Sequence, residues 1–169
     1  TWADKVTELS QLSNDKVYTI RSERAFLLFS DKVPNQLCSS TGKSIGSVSY
    51  SLNDPNLQFN IQKNGDNYYL FSVGAQKYVG TGGTYTANAS AAFKLEKVNN
   101  ANYPWKLRIG DQVMNSQSPN QHNAGILIDN WTTTDAGNCY YIEEAIPEDK
   151  VYNVIVLGTE NADAGFSYN

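Results

Sequence analysis

Side chains suited to acid–base or nucleophilic chemistry are few in this sequence, and their spacing matches no catalytic pattern. The single histidine, His122, lies in a polar loop without a serine or cysteine arrangement that spacing could identify. The sequence has two adjacent carboxylate pairs, Glu143-Glu144 and Glu148-Asp149. Their residue types suit a catalytic acid and base, but their placement does not. Neighbours in a strand point to opposite faces, and the second pair lies in a linker-like segment. We therefore expect no catalytic residues and a protein that is not an enzyme.

The two cysteines, Cys38 and Cys139, are far apart in the sequence and have no metal-ligand spacing. They are interpreted as two small buried hydrophobic side chains, and a disulfide in an oxidising compartment is the alternative. No phosphate-binding loop, dinucleotide fingerprint or EF-hand is present, and the glycine-rich segment 80–84 is typical of a hairpin turn. The sequence therefore predicts neither a metal nor a cofactor.

Charge and composition exclude several classes of partner. The chain has 169 residues and a net charge of -4, with 18% charged and 40% hydrophobic residues. Because it has no run of Lys or Arg, it lacks the positive surface that nucleic acids and anionic membranes require. No apolar run approaches the roughly 20 residues of a membrane span, and no signal-like segment opens the chain. We expect a soluble monomer from which any targeting segment has been removed.

After residue 13 the sequence is a succession of short strand-like segments separated by turns. Segments such as VYTIRS, YYLFSV, WKLRIG and CYYIEE are rich in β-branched and aromatic residues, and turn clusters such as NGDN at 64–67 interrupt them. Only the opening TWADKVTELSQL has helical periodicity, with Val6, Leu9 and Leu12 on one face, so we expect a short N-terminal helix or an extended segment there. The pattern predicts an all-β sandwich or barrel.

An internal repeat decides between these architectures. Each repeat opens and closes with an aromatic residue two positions before an aliphatic one, which places both side chains on the same face of a strand. The opening pairs are Tyr18/Ile20, Tyr68/Leu70 and Trp105/Leu107, and the closing pairs are Phe59/Ile61, Phe93/Leu95 and Tyr140/Ile142. Three copies, each with two shorter strands between its ends, give about twelve strands. This is the pattern of a β-trefoil, whereas an immunoglobulin-like sandwich has no reason to triplicate.

The trefoil is predicted to span residues 13–146. Residues 147–169 begin as a linker and continue into the strand VYNVIVLG, which has no fourth repeat to join. This strand either begins a following domain that is truncated here or packs along the outside of the trefoil. The first alternative predicts a multidomain parent protein.

The segments NDKVYTIRS, NYYLFSVGAQKYVG and DNWTTTDAGNCYYIEE, together with the repeats, carry a family resemblance. They resemble ricin-type β-trefoil lectins and the trefoil modules of secreted glycoside hydrolases and surface proteins of Bacteroidetes. The resemblance implies a sugar-binding module in an extracellular, periplasmic or cell-surface location. The sequence departs from the Gln-x-Trp motif that closes each lectin repeat, and has Leu57-Gln58-Phe59, Ala91-Ala92-Phe93 and Asn138-Cys139-Tyr140 instead. The aromatic slot is kept, whereas the polar slot is kept only as Asn138.

The resemblance implies a sugar site made of an acidic residue after the first strand of a repeat, an aromatic near the third strand and a polar side chain before the fourth. Planar polar groups suit sugar hydroxyls, and an aromatic ring covers the apolar face of a pyranose. The third repeat matches best, and its implied carbohydrate-binding residues are Asp111, His122, Asn130, Trp131, Asp135 and Asn138. Alternatively, Trp131 is a core residue and the acidic and amide residues form ordinary turns.

The other repeats offer less complete sets of residues. The first repeat has Glu23, Tyr50, Asn53 and Asp54, and the second has Tyr85 and Asn88 but Gly74 in the place of the acid. The predicted function is therefore non-catalytic carbohydrate binding, with a glycan and other domains of the same chain as partners. The alternative is a structural spacer or a protein–protein interaction module, which an exposed apolar patch would favour.

Overall fold

Twelve β-strands and three 3₁₀ turns make up the part of the chain that the computed structural model describes, residues 5–40, 53–116, 127–129 and 136–145. The first repeat contains β1 (Val17–Ser22), β2 (Phe26–Leu28), β3 (Cys38–Ser40) and β4 (Phe59–Asn64). The second contains β5 (Asn67–Ser72), β6 (Lys77–Val79), β7 (Tyr85–Thr86) and β8 (Lys94–Lys97). The third contains β9 (Trp105–Ile109), β10 (Gln112–Asn115), β11 (Leu127–Asp129) and β12 (Tyr140–Ala145). Each repeat thus has the four strands that the sequence predicts.

The first and last strands of the repeats close a six-stranded antiparallel barrel, in the order β1, β4, β5, β8, β9, β12 and back to β1. Within each repeat the two predicted aromatic residues face each other across the strands. These pairs are Tyr18 with Phe59, Tyr68 with Phe93 and Trp105 with Tyr140. Between repeats the predicted aliphatic residues face each other, as Ile61 with Leu70, Leu95 with Leu107 and Ile142 with Ile20. The same register at all three junctions confirms the β-trefoil.

The barrel interior holds the core of the protein. All twelve residues of the predicted aromatic–aliphatic pairs are buried in one hydrophobic cluster, which Val6, Leu27, Leu37 and Met114 also join. The alternation of β-strands explains this arrangement, because side chains two positions apart point to the same face. The aromatic residues of the repeats, Tyr68, Trp105, Phe59, Phe93 and Tyr140 among them, therefore form the barrel core.

The shorter strands form one hairpin in each repeat: β2–β3, β6–β7 and β10–β11. Each hairpin continues from the first barrel strand of its repeat, since β2 pairs with β1, β6 with β5 and β10 with β9. The turns before β5 and β10 contain only two residues and begin with Gly65 and Gly110, whose φ angles are +64° and +57°. Glycine is the residue that takes such angles without a steric penalty.

Residues 5–12 of the N-terminal segment contain one 3₁₀ turn, at Leu9–Gln11, and no α-helix. The backbone N–H of Val6 donates to the carbonyl of Ile142 at 2.7 Å, and its carbonyl accepts from the indole Nε1 of Trp105 at 2.8 Å. Because these bonds hold Val6 against the barrel, its backbone is not available to a helix, and Leu9 stays 38% exposed. Of the two predicted possibilities the extended segment is present. Residues 147–169, the predicted linker and extra strand, lie outside the described residues.

Both cysteines are buried and neither forms a disulfide, in agreement with the first interpretation. Cys38 lies in a small second cluster with Leu28 and Leu57 beneath the β2–β3 hairpin. Burial raises the pKa of the Cys38 thiol from 9.0 to about 11, because the surroundings disfavour the thiolate.

We expect Phe93→Ala to lower the free energy of unfolding by about 3–5 kcal/mol, because it leaves a cavity in the barrel core. Urea denaturation would measure the change, with Leu9→Ala as the control. The exposed Leu9 should change stability by no more than about 0.5 kcal/mol. A loss of stability for Phe93→Ala as small as that of the control would contradict the packing of the six pairs.

Stability should also fall at alkaline pH through Cys38. Its pKa is higher in the folded chain than in the unfolded chain, so its contribution is complete below about pH 9 and is lost as the pH rises through about 11. Urea denaturation at pH 8 and pH 10.5 would measure the decrease, and Cys38→Ala should show a smaller decrease than the parent. Equal decreases in the two proteins would show that the thiol does not contribute.

Candidate functional site

Two of the six predicted carbohydrate-binding residues, Asp111 and Asn138, lie within the described residues. His122, Asn130, Trp131 and Asp135 lie outside them, as does Tyr50 of the first repeat. The geometry of the third repeat is therefore built from Asp111, Asn138 and the strands between them.

Asp111 is exposed at the second position of the two-residue turn between β9 and β10. Gly110 allows this turn, and Ile109 pairs with Gln112 across it. On the neighbouring strand Asp129 pairs with Val113, two residues after Asp111. The end of β11 at Asp129 therefore lies beside the start of β10. The turn therefore presents a carboxylate to solvent at the end of the hairpin where β11 ends.

Asn138 occupies an interior position. Its side chain is 0% exposed, and the residues at the equivalent slot of the first and second repeats, Leu57 and Ala91, are buried as well. The slot that holds glutamine in the lectin motif is thus a buried position in all three repeats of this chain. A fully buried amide offers no surface to a sugar, so the side chain of Asn138 does not fit the predicted role as a direct ligand.

The structure does not bring Asp111 and Asn138 together. The backbone of Gly137, next to Asn138, accepts a hydrogen bond from the N–H of Ser116 at 2.7 Å, just after β10 ends. Asp111 comes just before β10 begins, and five residues of extended chain span about 16 Å. The two predicted residues therefore lie at opposite ends of the strand.

The hydroxyl of Tyr140 holds the backbone next to Asn138 by hydrogen bonds. This hydroxyl lies 3.2 Å from the carbonyl oxygen of Gly137, 3.3 Å from that of Met114 and 3.1 Å from the Oγ of Ser116. Because all these atoms are buried, the bonds hold the start of β12 against the end of β10. Tyr140, which occupies the aromatic slot of the third repeat, thus packs in the core with its ring and positions the loop backbone with its hydroxyl.

Gly137 is packed tightly against its surroundings. A Cβ atom at this position would lie 3.0 Å from the Oδ1 of Asn115, 3.0 Å from the carbonyl oxygen of Ser116 and 3.1 Å from the Nη1 of Arg24. The Oδ1 of Asn115 is buried and has no hydrogen-bond partner within the described part of the chain. A side chain here would press on Asn115, Ser116 and Arg24, where the third repeat meets the β1–β2 turn of the first.

The first repeat leaves its predicted polar residues at the surface. Glu23 and Asn53 are exposed. Asp54 is engaged by its own backbone, because its carboxylate accepts from the N–H of Asn56 at 2.9 Å and begins the 3₁₀ turn Pro55–Leu57. No cluster of sugar-binding groups forms around it in the described part of this repeat.

In the second repeat Gly74 stands where the other repeats have an acidic residue, and Asn56 occupies the space beside it. A Cβ at Gly74 would lie 2.4 Å from the Oδ1 of Asn56, so the first repeat already occupies the space of an acidic side chain. The Tyr85 ring packs against Phe29 with centroids 5.9 Å apart, and burial raises the pKa of its hydroxyl. Tyr85 is therefore part of the packing, and Asn88 is exposed beyond it.

A cleft of about 230 Å³ lies where the N-terminal segment meets the barrel. Its lining includes Tyr18 and three charged side chains that are already engaged. Lys16 pairs with Glu144 at 3.2 Å, and the Nζ of Lys5 donates to the carbonyl of Ala101 at 2.9 Å. Among the described residues, no three His, Cys, Asp or Glu side chains are grouped as a metal site would require. No helix in the described part of the chain is long and apolar enough to cross a membrane.

Comparison with proteins of known structure identifies other proteins with this fold. No protein-family model and no curated protein matches the sequence. Among solved structures, the chain is similar to the Macrolepiota procera ricin B-like lectin in complex with lactose, at 13% identity and a TM-score of 0.61, over 80% of this chain and 99% of the lectin. It is similar to a GlcNAcα1-4Gal-releasing endo-β-galactosidase from Clostridium perfringens, at 12% identity and a TM-score of 0.60, over 78% of this chain and 33% of the enzyme. It is also similar to ThreeFoil, a designed threefold-symmetric protein, at 13% identity and a TM-score of 0.54, over 78% of this chain and 100% of the design. The chain is therefore a β-trefoil protein, with the fold of the ricin B-like lectins.

We expect Gly137→Ala to lower the free energy of unfolding by about 1–3 kcal/mol, because the added methyl group would force Asn115 and Ser116 to move. Urea denaturation would measure the change, and an HSQC spectrum should show shifts at Ser116 and Arg24. Unchanged stability and an unchanged spectrum would contradict the close packing at this junction.

Proposed function

We propose that this chain is a non-catalytic carbohydrate-binding module, lectin-like in its action, within a larger secreted or surface protein. The observation that carries the proposal is the exposed carboxylate of Asp111 in the third repeat of a fold shared with a lectin that was solved with lactose. A carboxylate at such a turn can accept two hydrogen bonds from neighbouring sugar hydroxyls.

Trp131 is the proposed apolar platform of this site. It follows Asp129 by two residues, and Asp129 lies at the end of β11 that neighbours the Asp111 turn. An aromatic ring there would cover the apolar face of the pyranose that Asp111 binds. Asn130, Asp135 and His122 are the further proposed contacts. Asn138 is reassigned to support, since its buried amide lies beneath the backbone that leads into β12.

A site built from one exposed carboxylate and one ring is shallow, so we expect weak binding. A dissociation constant near 1 mM corresponds to about -4 kcal/mol. A linked partner domain that binds the same glycan raises the overall affinity for that glycan, without a new contact in this module. The endo-β-galactosidase illustrates such a context, since the trefoil matches one third of that enzyme. We propose the same arrangement here, in an extracellular, periplasmic or cell-surface protein, and an origin in Bacteroidetes stays a prediction.

The alternative function is a spacer or a protein–protein interaction module. The apolar residues Leu57 and Ala91 in two of the three polar slots favour it. Against it, Leu9 is the one large hydrophobic side chain that is exposed within the described ranges. Protein-binding surfaces commonly contain contiguous apolar patches, so carbohydrate binding is the better supported proposal.

We expect Asp111→Ala and Trp131→Ala each to reduce binding about tenfold or more in a glycan-array screen of the multivalently displayed protein. Asp66→Ala is the matched control, because Asp66 is also exposed at the second position of a two-residue turn after a glycine. It should bind as the parent does. No binding by the parent to plant, host or microbial glycans, or equal loss in the control, would favour the spacer or protein-partner alternative.

A further inference from the structure

The outward-facing side chains of β4 and β5 have an unusual composition. The inward positions of these strands supply Phe59, Ile61, Tyr68 and Leu70 to the core. The positions that alternate with them point away from the barrel, and they hold Asn60, Gln62, Asn64, Asn67, Tyr69 and Phe71. All six are amide or aromatic residues, and none is charged. We call this surface the β4–β5 outer face.

The pseudo-threefold symmetry of the fold supplies internal comparisons. The four central positions of the β4–β5 outer face flank the Ile61–Leu70 pair, and the other two junctions have equivalent positions. At the β8–β9 junction these hold Lys94, Glu96, Lys106 and Arg108, and at the β12–β1 junction they hold Tyr141, Glu143, Thr19 and Arg21. The fold therefore accepts charged residues at these positions, so the uncharged β4–β5 outer face is not a requirement of the barrel.

Tyr78 of β6 adds a third ring to this face and is held in place without a ligand. Its ring packs edge-on against Phe71, with centroids 5.0 Å apart and an interplanar angle of 71°. Its hydroxyl donates to the Oε1 of Gln62 at 3.1 Å. Because Gln62 lies on β4 and Tyr78 on β6, the tyrosine side chain spans β5. The ring is thus ordered before binding, which reduces the entropic cost of holding a ligand.

Several polar atoms of the β4–β5 outer face make no hydrogen bond to the rest of the described chain. The Nε2 of Gln62 and the hydroxyl of Tyr69 have no such bond. Asn60 uses its Nδ2, which donates to the carbonyl of Lys16 at 2.9 Å, and its Oδ1 makes none. Tyr69, Phe71 and Tyr78 are half-buried, so part of each ring meets solvent. The face combines partly exposed rings with unused donors and an unused acceptor.

We propose that the β4–β5 outer face is a second binding site, separate from the third repeat, and that it takes a neutral glycan chain. Partly exposed rings offer stacking surfaces for pyranoses, and the amides offer both donors and acceptors to sugar hydroxyls. The absence of charge favours a neutral chain, because no charged side chain has to be desolvated or paired when the ligand covers the face. The inference rests on the proposed carbohydrate-binding function and assigns it an additional surface.

The dimensions of the face favour a chain over a single sugar. Phe71 lies four positions after Asn67 in β5, which corresponds to about 13 Å of extended strand. This length exceeds one pyranose ring. Tyr69 and Phe71 lie on the same side of the strand, about 7 Å apart along it, so they can contact successive parts of one ligand.

The experiment is native affinity electrophoresis in gels that contain galactan, galactomannan, xylan or mixed-linkage β-glucan, with polygalacturonate as the acidic comparison. Tyr69→Ala removes a ring, and Gln62→Glu places a charge on the face with little change in shape. Tyr141→Ala is the control, because Tyr141 is a half-buried tyrosine on the outer side of another junction, at the position that corresponds to Asn60. Trp131→Ala removes the proposed platform of the third repeat, and circular dichroism checks that each variant is folded.

We expect at least one neutral polysaccharide to retard the parent, and both Tyr69→Ala and Gln62→Glu to weaken that binding about tenfold or more. Tyr141→Ala should keep it, and Tyr69→Ala should weaken it by the same factor in a Trp131→Ala background, because the two sites are separate. Loss in Trp131→Ala alone would overturn the second site and leave the proposed function intact. Equal retardation by polygalacturonate, or no retardation by any neutral polysaccharide, would also overturn the inference, while the glycan array tests the third repeat separately.

Discussion

The filling of the barrel by six aromatic–aliphatic pairs is the constraint on which the rest of this structure depends. Each junction between strands carries the same pairing, with aromatic residues facing within a repeat and aliphatic residues facing between repeats. Because the interior is closed on itself, a change of size in one repeat is felt by the other two. The strands therefore cannot shift register, and the positions where hairpins leave the barrel are fixed.

Fixed strand ends also determine what the loops can present. Gly74 and Gly137 both lie where one repeat contacts the next, and at both sites another residue occupies the space a side chain would need. In the second repeat the contact between Gly74 and Asn56 leaves no space for an acidic side chain. In the third repeat, Asp111 is exposed on a two-residue turn. The three repeats thus share a core and differ in the side chains at the position of the acidic residue.

The outside of the barrel is free of the packing constraint, and the three junctions have diverged there. The β8–β9 junction has an ion pair, with Arg108 and Glu96 at 2.7 Å, whereas the β4–β5 outer face has rings and amides. Most of these outward side chains are at least partly exposed, although Thr19 and Lys106 are buried. Chemistry that is costly in the core can therefore accumulate on one face without a loss of stability.

The sequence by itself determined the fold, because the period-two alternation of large side chains, repeated three times, leaves few ways to bury them. The twelve strands and the twelve core residues follow from it. It did not determine which polar residues meet: Asp111 and Asn138 belong to one implied sugar site but lie at opposite ends of β10. The amide of Asn138 and the ring of Tyr85 are both used in packing. The β4–β5 outer face was also missed, although the alternation that located the core could have shown it. Contacts between repeats join residues far apart in the chain, and only the closed barrel decides which of those side chains remain exposed.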